Sequence, residues 1–203
     1  MINIREEILN AKNNNIAYFH KGFYNNTPTW DDFLNCVFKE SQVENLDLAR
    51  DILNSNAKDV DQKAKGNVVI TDDVYFSPQV NTLKYFPSLS NFISEFLNIN
   101  GMLLGVSGPK VSVGPRYVAP HSDQWDAFSL QCQGTSIWKI SYPESGYIEE
   151  FHMSPGDLLY FPQETMHELY CNEPRAGIIF NLPDARLDPK EYATMNNNAI
   201  IES

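Results

Sequence analysis

Three side chains in the second half of the chain have the types and spacing to hold one divalent cation: His121, Asp123 and His167. In His121-Ser122-Asp123 two ligand-type side chains stand two residues apart, and on an extended strand such residues share a face. From Ser154 to His167 a Pro155-Gly156-Asp157 turn leads into the apolar run Leu158-Leu159-Tyr160-Phe161, Pro162 breaks it, and His167 follows at the start of another strand. That layout brings a third ligand in from a second strand of a small barrel. Two neutral imidazoles and one carboxylate on one side of a cation form the facial triad, which leaves positions for substrate and oxygen at Fe(II). Zinc accepts the same ligands, and affinity order alone does not select iron; oxygen chemistry requires the redox metal.

The elements around these residues divide the chain. Residues 1–102 read as a helical and loop region packing on the barrel. A helix is predicted over about 29–40, where Thr29 caps Trp30-Asp31-Asp32-Phe33 with acids in the first turn. Asn45 to Asn56 continues helically, and Ser88 or Ser90 opens a further helix in which Phe92, Ile93, Phe96 and Leu97 recur three and four residues apart. Val68-Val69-Ile70 reads as a short strand. Residues 103–188 read as a barrel core of short strands, Lys110 to Val113, Ala127 to Gln133, Ser136 to Ser141, Asp157 to Phe161 and Gly177 to Leu182, with Gly, Pro and Ser between them. Residues 189–203 read as a tail. The fold class is therefore mainly β, a double-stranded β-helix or jelly-roll barrel with N-terminal helices.

A formal net charge of −11 argues against nucleic acid and anionic membrane as partners. The first residues lack the basic and apolar stretches of a signal peptide, and no apolar run reaches the roughly 18 residues of a membrane span, so a cytoplasmic protein is expected. Cys36, Cys132 and Cys171 lie far apart with no C-x-x-C arrangement, the pattern of buried thiols rather than of a disulfide framework or structural zinc site. The N-terminal aromatic residues Trp30, Phe33 and Phe38 read as simple core packing, with covering the barrel or mediating a homodimer as the alternatives.

Pro120-His121-Ser122-Asp123, Phe128-Ser129-Leu130-Gln131, Gly134, Trp138 and the Pro-Gly-Asp segment ending in His167 resemble the JmjC-like, cupin-fold Fe(II)/2-oxoglutarate oxygenases, in particular the small protein and ribosomal-protein hydroxylases. The resemblance implies that His121, Asp123 and His167 are the metal ligands, that 2-oxoglutarate is the cosubstrate, and that a C–H of a protein or small-molecule substrate is hydroxylated with release of succinate and CO2. The distal carboxylate of 2-oxoglutarate needs a partner, since a buried carboxylate without a cation is poorly stabilised. Relatives place a Lys two residues after the glycine, where Ser136 stands here, or an Arg on the strand after the last ligand, where Asn181 stands. Lys139, Tyr117 and Arg116 are the further candidates, Lys139 facing the wrong side unless a bulge intervenes. The competing readings are a metal-binding cupin enzyme that acts on a small substrate without 2-oxoglutarate, and a barrel retained for binding alone.

Overall fold

The computed structural model describes residues 4–41, 63–65, 68–71, 75–78, 85–97, 105–123 and 125–182; the expected helix at Asn45 to Asn56 and the tail at 189–203 lie outside them. Two antiparallel sheets carry the fold. The larger contains β1 (Tyr18–His20), β2 (Lys63–Lys65), β3 (Val68–Thr71), β4 (Tyr75–Pro78), β5 (Gly105–Ser112), β7 (Asp126–Gln133), β10 (Leu158–Phe161) and β12 (Arg175–Leu182), in the order β1-β10-β7-β12-β5-β4-β3-β2. The smaller contains β6 (Arg116–His121), β8 (Ser136–Tyr142), β9 (Tyr147–Met153) and β11 (Met166–Cys171), in the order β6-β11-β8-β9. Apart from the β8–β9 hairpin, the chain from β5 to β12 thus alternates between two facing sheets, the pattern of a double-stranded β-helix.

Side-chain alternation builds two cores from this arrangement. In β7 the odd-numbered Ala127, Ser129 and Gln131 face the smaller sheet, and Phe128 and Leu130 face the helices. Both faces are buried, so β7 reads as a continuous buried run rather than a half-wet strand. Between the sheets Ala127, Trp138, Ile140, Phe151, Met153, Leu159, Phe161 and Leu169 pack together. Burying each large apolar side chain contributes about 1.5–3 kcal/mol.

Among the described residues three helices cover the outer face of the larger sheet: α1 (Ile4–Asn13), α2 (Trp30–Ser41) and α3 (Pro87–Leu97). Helix α2 begins where the capping pattern places it, with Thr29 Oγ1 accepting the Asp32 N–H at 3.3 Å and the Asp32 carboxylate accepting the Thr29 N–H at 2.8 Å. It buries Phe33, Cys36 and Val37, and α3 buries Leu89 and Ile93 in the same core. The stretch 1–102, read from sequence as helix and loop apart from Val68 to Ile70, also supplies β1, β2 and β4. Cys36, Cys132 and Cys171 are all buried free thiols, and burial pushes the Cys132 thiol pKa up. Among the described residues no helix is long and apolar enough to cross a membrane.

Candidate metal centre

His121 is the last residue of β6 and His167 the second of β11, and the two stand opposite each other in the ladder that joins these strands. Asp123 lies two residues beyond the end of β6, in the loop before β7, so it reaches the two rings from a loop and not, as the spacing suggested, from the same strand as His121. One ligand atom from each of the three residues lies within 4.8 Å of the others. The His121 and His167 ring centroids are 4.2 Å apart, and His167 Nε2 lies 3.8 Å from Asp123 Oδ2.

The imidazoles are oriented in the same way. His121 Nδ1 lies 2.9 Å from Ala119 O and His167 Nδ1 2.9 Å from Thr165 O, each a carbonyl two residues earlier. A carbonyl only accepts, which places the proton on Nδ1 and leaves both Nε2 lone pairs for an ion, the second-sphere arrangement that fixes a metal-binding histidine. Burial lowers the His167 pKa, against which the Thr165 carbonyl raises it; His121 lowers it further and Asp123 raises it. A ring held neutral is the form that ligates.

A cavity of about 300 Å³ opens from the triad into the barrel, lined by His121, Asp123 and His167 together with Lys110, Arg175 and Trp138 and an apolar wall of Val118, Phe161, Leu169 and Ile179. Its cations were not among the residues expected from sequence. Arg175 opens β12 opposite Ser112, and Lys110 stands opposite Gly177 two positions on, so both side chains project from one face of the sheet. Burial pushes the Lys110 pKa down to about 8; Asp123 counteracts this, and Arg175 and Arg116 add to it. Gly177 makes space for the arrangement: a Cβ there would lie 3.0 Å from Leu130 O and 3.6 Å from Arg175 Nη1. The signal for Arg175 was the turn Asn172-Glu173-Pro174 just before it, which starts the strand two residues earlier than the apolar run implies. Lys110 was legible only as one residue of an alternating strand.

The residues proposed for the cosubstrate separate. Ser136 is buried beside Gln131, donating from Oγ to Gln131 Oε1 at 2.8 Å, and Arg175 Nη1 approaches the same oxygen at 3.4 Å. Ser136 and Arg175 thus share one acceptor, and Ser136 does not line the cavity. Arg116 shares the inward side of β6 with Val118 and its charge acts on Lys110. Tyr117 points the other way, half exposed, stacked on Tyr170 at 4.7 Å and donating to Glu168. Lys139 also stands on that outer face, 3.7 Å from Glu150 and over the Tyr170 ring. Tyr117 and Lys139 thus lie outside the cavity because their strands alternate without a bulge at those positions. Asn181 pairs with Gly105 and Ala127 through its backbone; its side chain is outside those described.

A double-stranded β-helix with two histidines and an aspartate lining its cavity is a cupin-type fold with a candidate metal site. Residues 93–182 match the family described as JmjC domain. The chain is similar to ribosomal oxygenases, being 29% identical over 97 residues to ribosomal oxygenase 2 of Mus musculus and 24% identical over 108 residues to ribosomal oxygenase 1 of Rattus norvegicus. These alignments take in 40% and 44% of the chain but only 20% and 18% of the relatives, so the chain spans about a fifth of their length. Its fold is shared with YcfD, a ribosomal oxygenase from Escherichia coli solved in complex with cobalt and succinic acid, at a TM-score of 0.53 and 19% identity over 92% of this chain and 53% of that one.

Proposed function

We propose that the protein is an Fe(II)- and 2-oxoglutarate-dependent oxygenase that hydroxylates a protein side chain or a small molecule in the cytoplasm. The observation that carries this reading is the pairing, in one cavity, of a His-Asp-His triad with two cations, Lys110 and Arg175. A chain with a net charge of −11 that gathers positive charge inside its barrel has built a place for an anion.

The lining suits a dicarboxylate held at both ends. Trp138 Nε1, in the lining, is buried with no hydrogen-bond partner among the described residues, and a buried polar atom left in that state points to a ligand or water that completes it. Arg175 and Lys110 would take the carboxylate remote from the triad, the guanidinium through its planar fork and Lys110 as a point charge. Gln131 Oε1 accepts from Arg175 Nη1 and is itself held by the Ser136 hydroxyl. His121 and His167 would present Nε2 and Asp123 a carboxylate oxygen to one side of the ion. Val118, Phe161, Leu169 and Ile179 form an apolar wall beside these charges, and lower local polarity strengthens charge interactions. Iron held there would supply the oxygen-activating chemistry that turns a C–H into C–OH while 2-oxoglutarate leaves as succinate and CO2.

Kinship with proteins named ribosomal oxygenases supports a protein substrate, and an acidic chain complements a basic ribosomal protein electrostatically. The test is anaerobic titration of the protein with Fe(II) and then 2-oxoglutarate, followed by the visible charge-transfer absorption of the chelate. The band is expected in the parent and absent in His121→Ala. Iron binding without the band would replace this reading with a cupin enzyme that does not use 2-oxoglutarate.

A further inference from the structure

The ring of His167 is aimed by a turn whose own backbone is unfavourable. Pro162, Gln163, Glu164 and Thr165 form a four-residue turn in which the Thr165 N–H donates to Pro162 O at 3.3 Å, and Glu164, in its third position, has a φ of 60°. That position ordinarily takes glycine, because a Cβ is disfavoured in left-handed backbone. The Glu164 side chain is exposed. Such a conformation persists where its surroundings over-determine it.

Two bonds do so here, and both come from the segment that carries the other ligands. The Glu164 N–H donates to the carbonyl oxygen of Asp123 at 2.6 Å, and the Gln163 N–H donates to Asp126 Oδ1 at 2.9 Å. The second carboxylate oxygen of Asp126 is ion-paired with Lys12 of α1. Asp126 is almost fully buried at the start of β7 and does not line the cavity. It joins the N-terminal helix to the loop before His167.

The geometry points to Asp126 as a positioning residue of the metal centre: by capturing the Gln163 N–H it holds the left-handed turn, and so keeps His167 facing His121 and Asp123, while Lys12 holds the carboxylate in place. This rests on the metal site proposed above. Its distinguishing mark is that the need for Asp126 arises from the absence of glycine at 164. Glycine takes the left-handed conformation unaided and makes the clamp dispensable.

The test is Co(II) binding to the full chain, measured by calorimetry and by the visible ligand-field spectrum. Asp126→Ala is expected to weaken cobalt binding at least tenfold, Glu164→Gly alone to leave it within threefold of the parent, and the double variant to recover to within threefold of the parent. Asp126→Asn, which retains an acceptor for the Gln163 N–H and disturbs folding least, is expected to stay within threefold as well. Unchanged cobalt affinity in Asp126→Ala overturns the inference, as does a double variant that remains as weak as Asp126→Ala. If Asp126→Ala does not fold, an Asp126→Asn variant that loses tenfold and is not rescued by Glu164→Gly overturns it, and retained binding supports it. A parent protein that binds no cobalt overturns the metal site itself, an outcome read without any variant.

Discussion

Replacing Lys110 by Met should make the metal-free protein more stable while destroying its capacity for the cosubstrate. Burial, with the repulsion of Arg175 and Arg116, outweighs the attraction of Asp123 and takes the Lys110 pKa from 10.5 to about 8. At about 1.4 kcal/mol per pKa unit, the charged amine costs the fold roughly 3 kcal/mol, and roughly 1–3 once water in the cavity is allowed for. The sign follows from proton linkage. The folded-state pKa lies below the unfolded one, so the penalty is fully present below about 8 and fades as pH rises toward 10.5, where the amine is neutral in both states. Urea unfolding of metal-free parent and Lys110→Met at pH 7 should show the variant more stable by about 1–3 kcal/mol, with the gap less than half as large at pH 10. A variant less stable than the parent at pH 7, or a gap that does not narrow with pH, would refute the reasoning. The complementary measurement adds Co(II) and 2-oxoglutarate: at a hundredfold excess over the dissociation constant the ligand should stabilise the parent by about 2.7 kcal/mol and Lys110→Met far less. A fold that buries a cation at such a cost illustrates how binding sites are kept at the expense of stability.

Arg175→Lys, which keeps the charge but loses the planar fork, should weaken 2-oxoglutarate at least tenfold, about 1.4 kcal/mol, with Fe(II) affinity unchanged; equal weakening of both, read from the charge-transfer titration, would mean that the residue supports the barrel and not the ligand. The lowered pKa of His167 predicts acid sensitivity of the metal-free protein. Its folded pKa lies below the unfolded value of about 6.5, so the unfolded chain binds the extra proton and stability falls as pH drops below about 6.5. His167→Asn should flatten the stability slope between pH 6.5 and 5 in chemical denaturation, whatever its effect on stability at pH 7, and an unaltered slope would locate the acid sensitivity elsewhere.

What the sequence by itself determined was set by local chemistry. Alternation, turn residues and the Thr29 cap placed β7, β8, β10 and α2 to within a residue or two, because each depends on neighbours in the chain. The types and order of His121, Asp123 and His167 also pointed to one ion, since two imidazoles and a carboxylate are the donor set of a facial triad. The tertiary structure decided the rest. Lys110 and Arg175 lie 65 residues apart in the chain and share a cavity only because β5 and β12 pair in the register that sets Arg175 opposite Ser112. Ser136, in the position of a relative's lysine, became a support for Arg175 because both reach Gln131. Tyr117 and Lys139 fell outside because one residue of register along a strand reverses the face. The joining of Lys12, Asp126 and the turn before His167 depends on where a helix lands on a sheet, and long-range packing, not local pattern, fixes that contact.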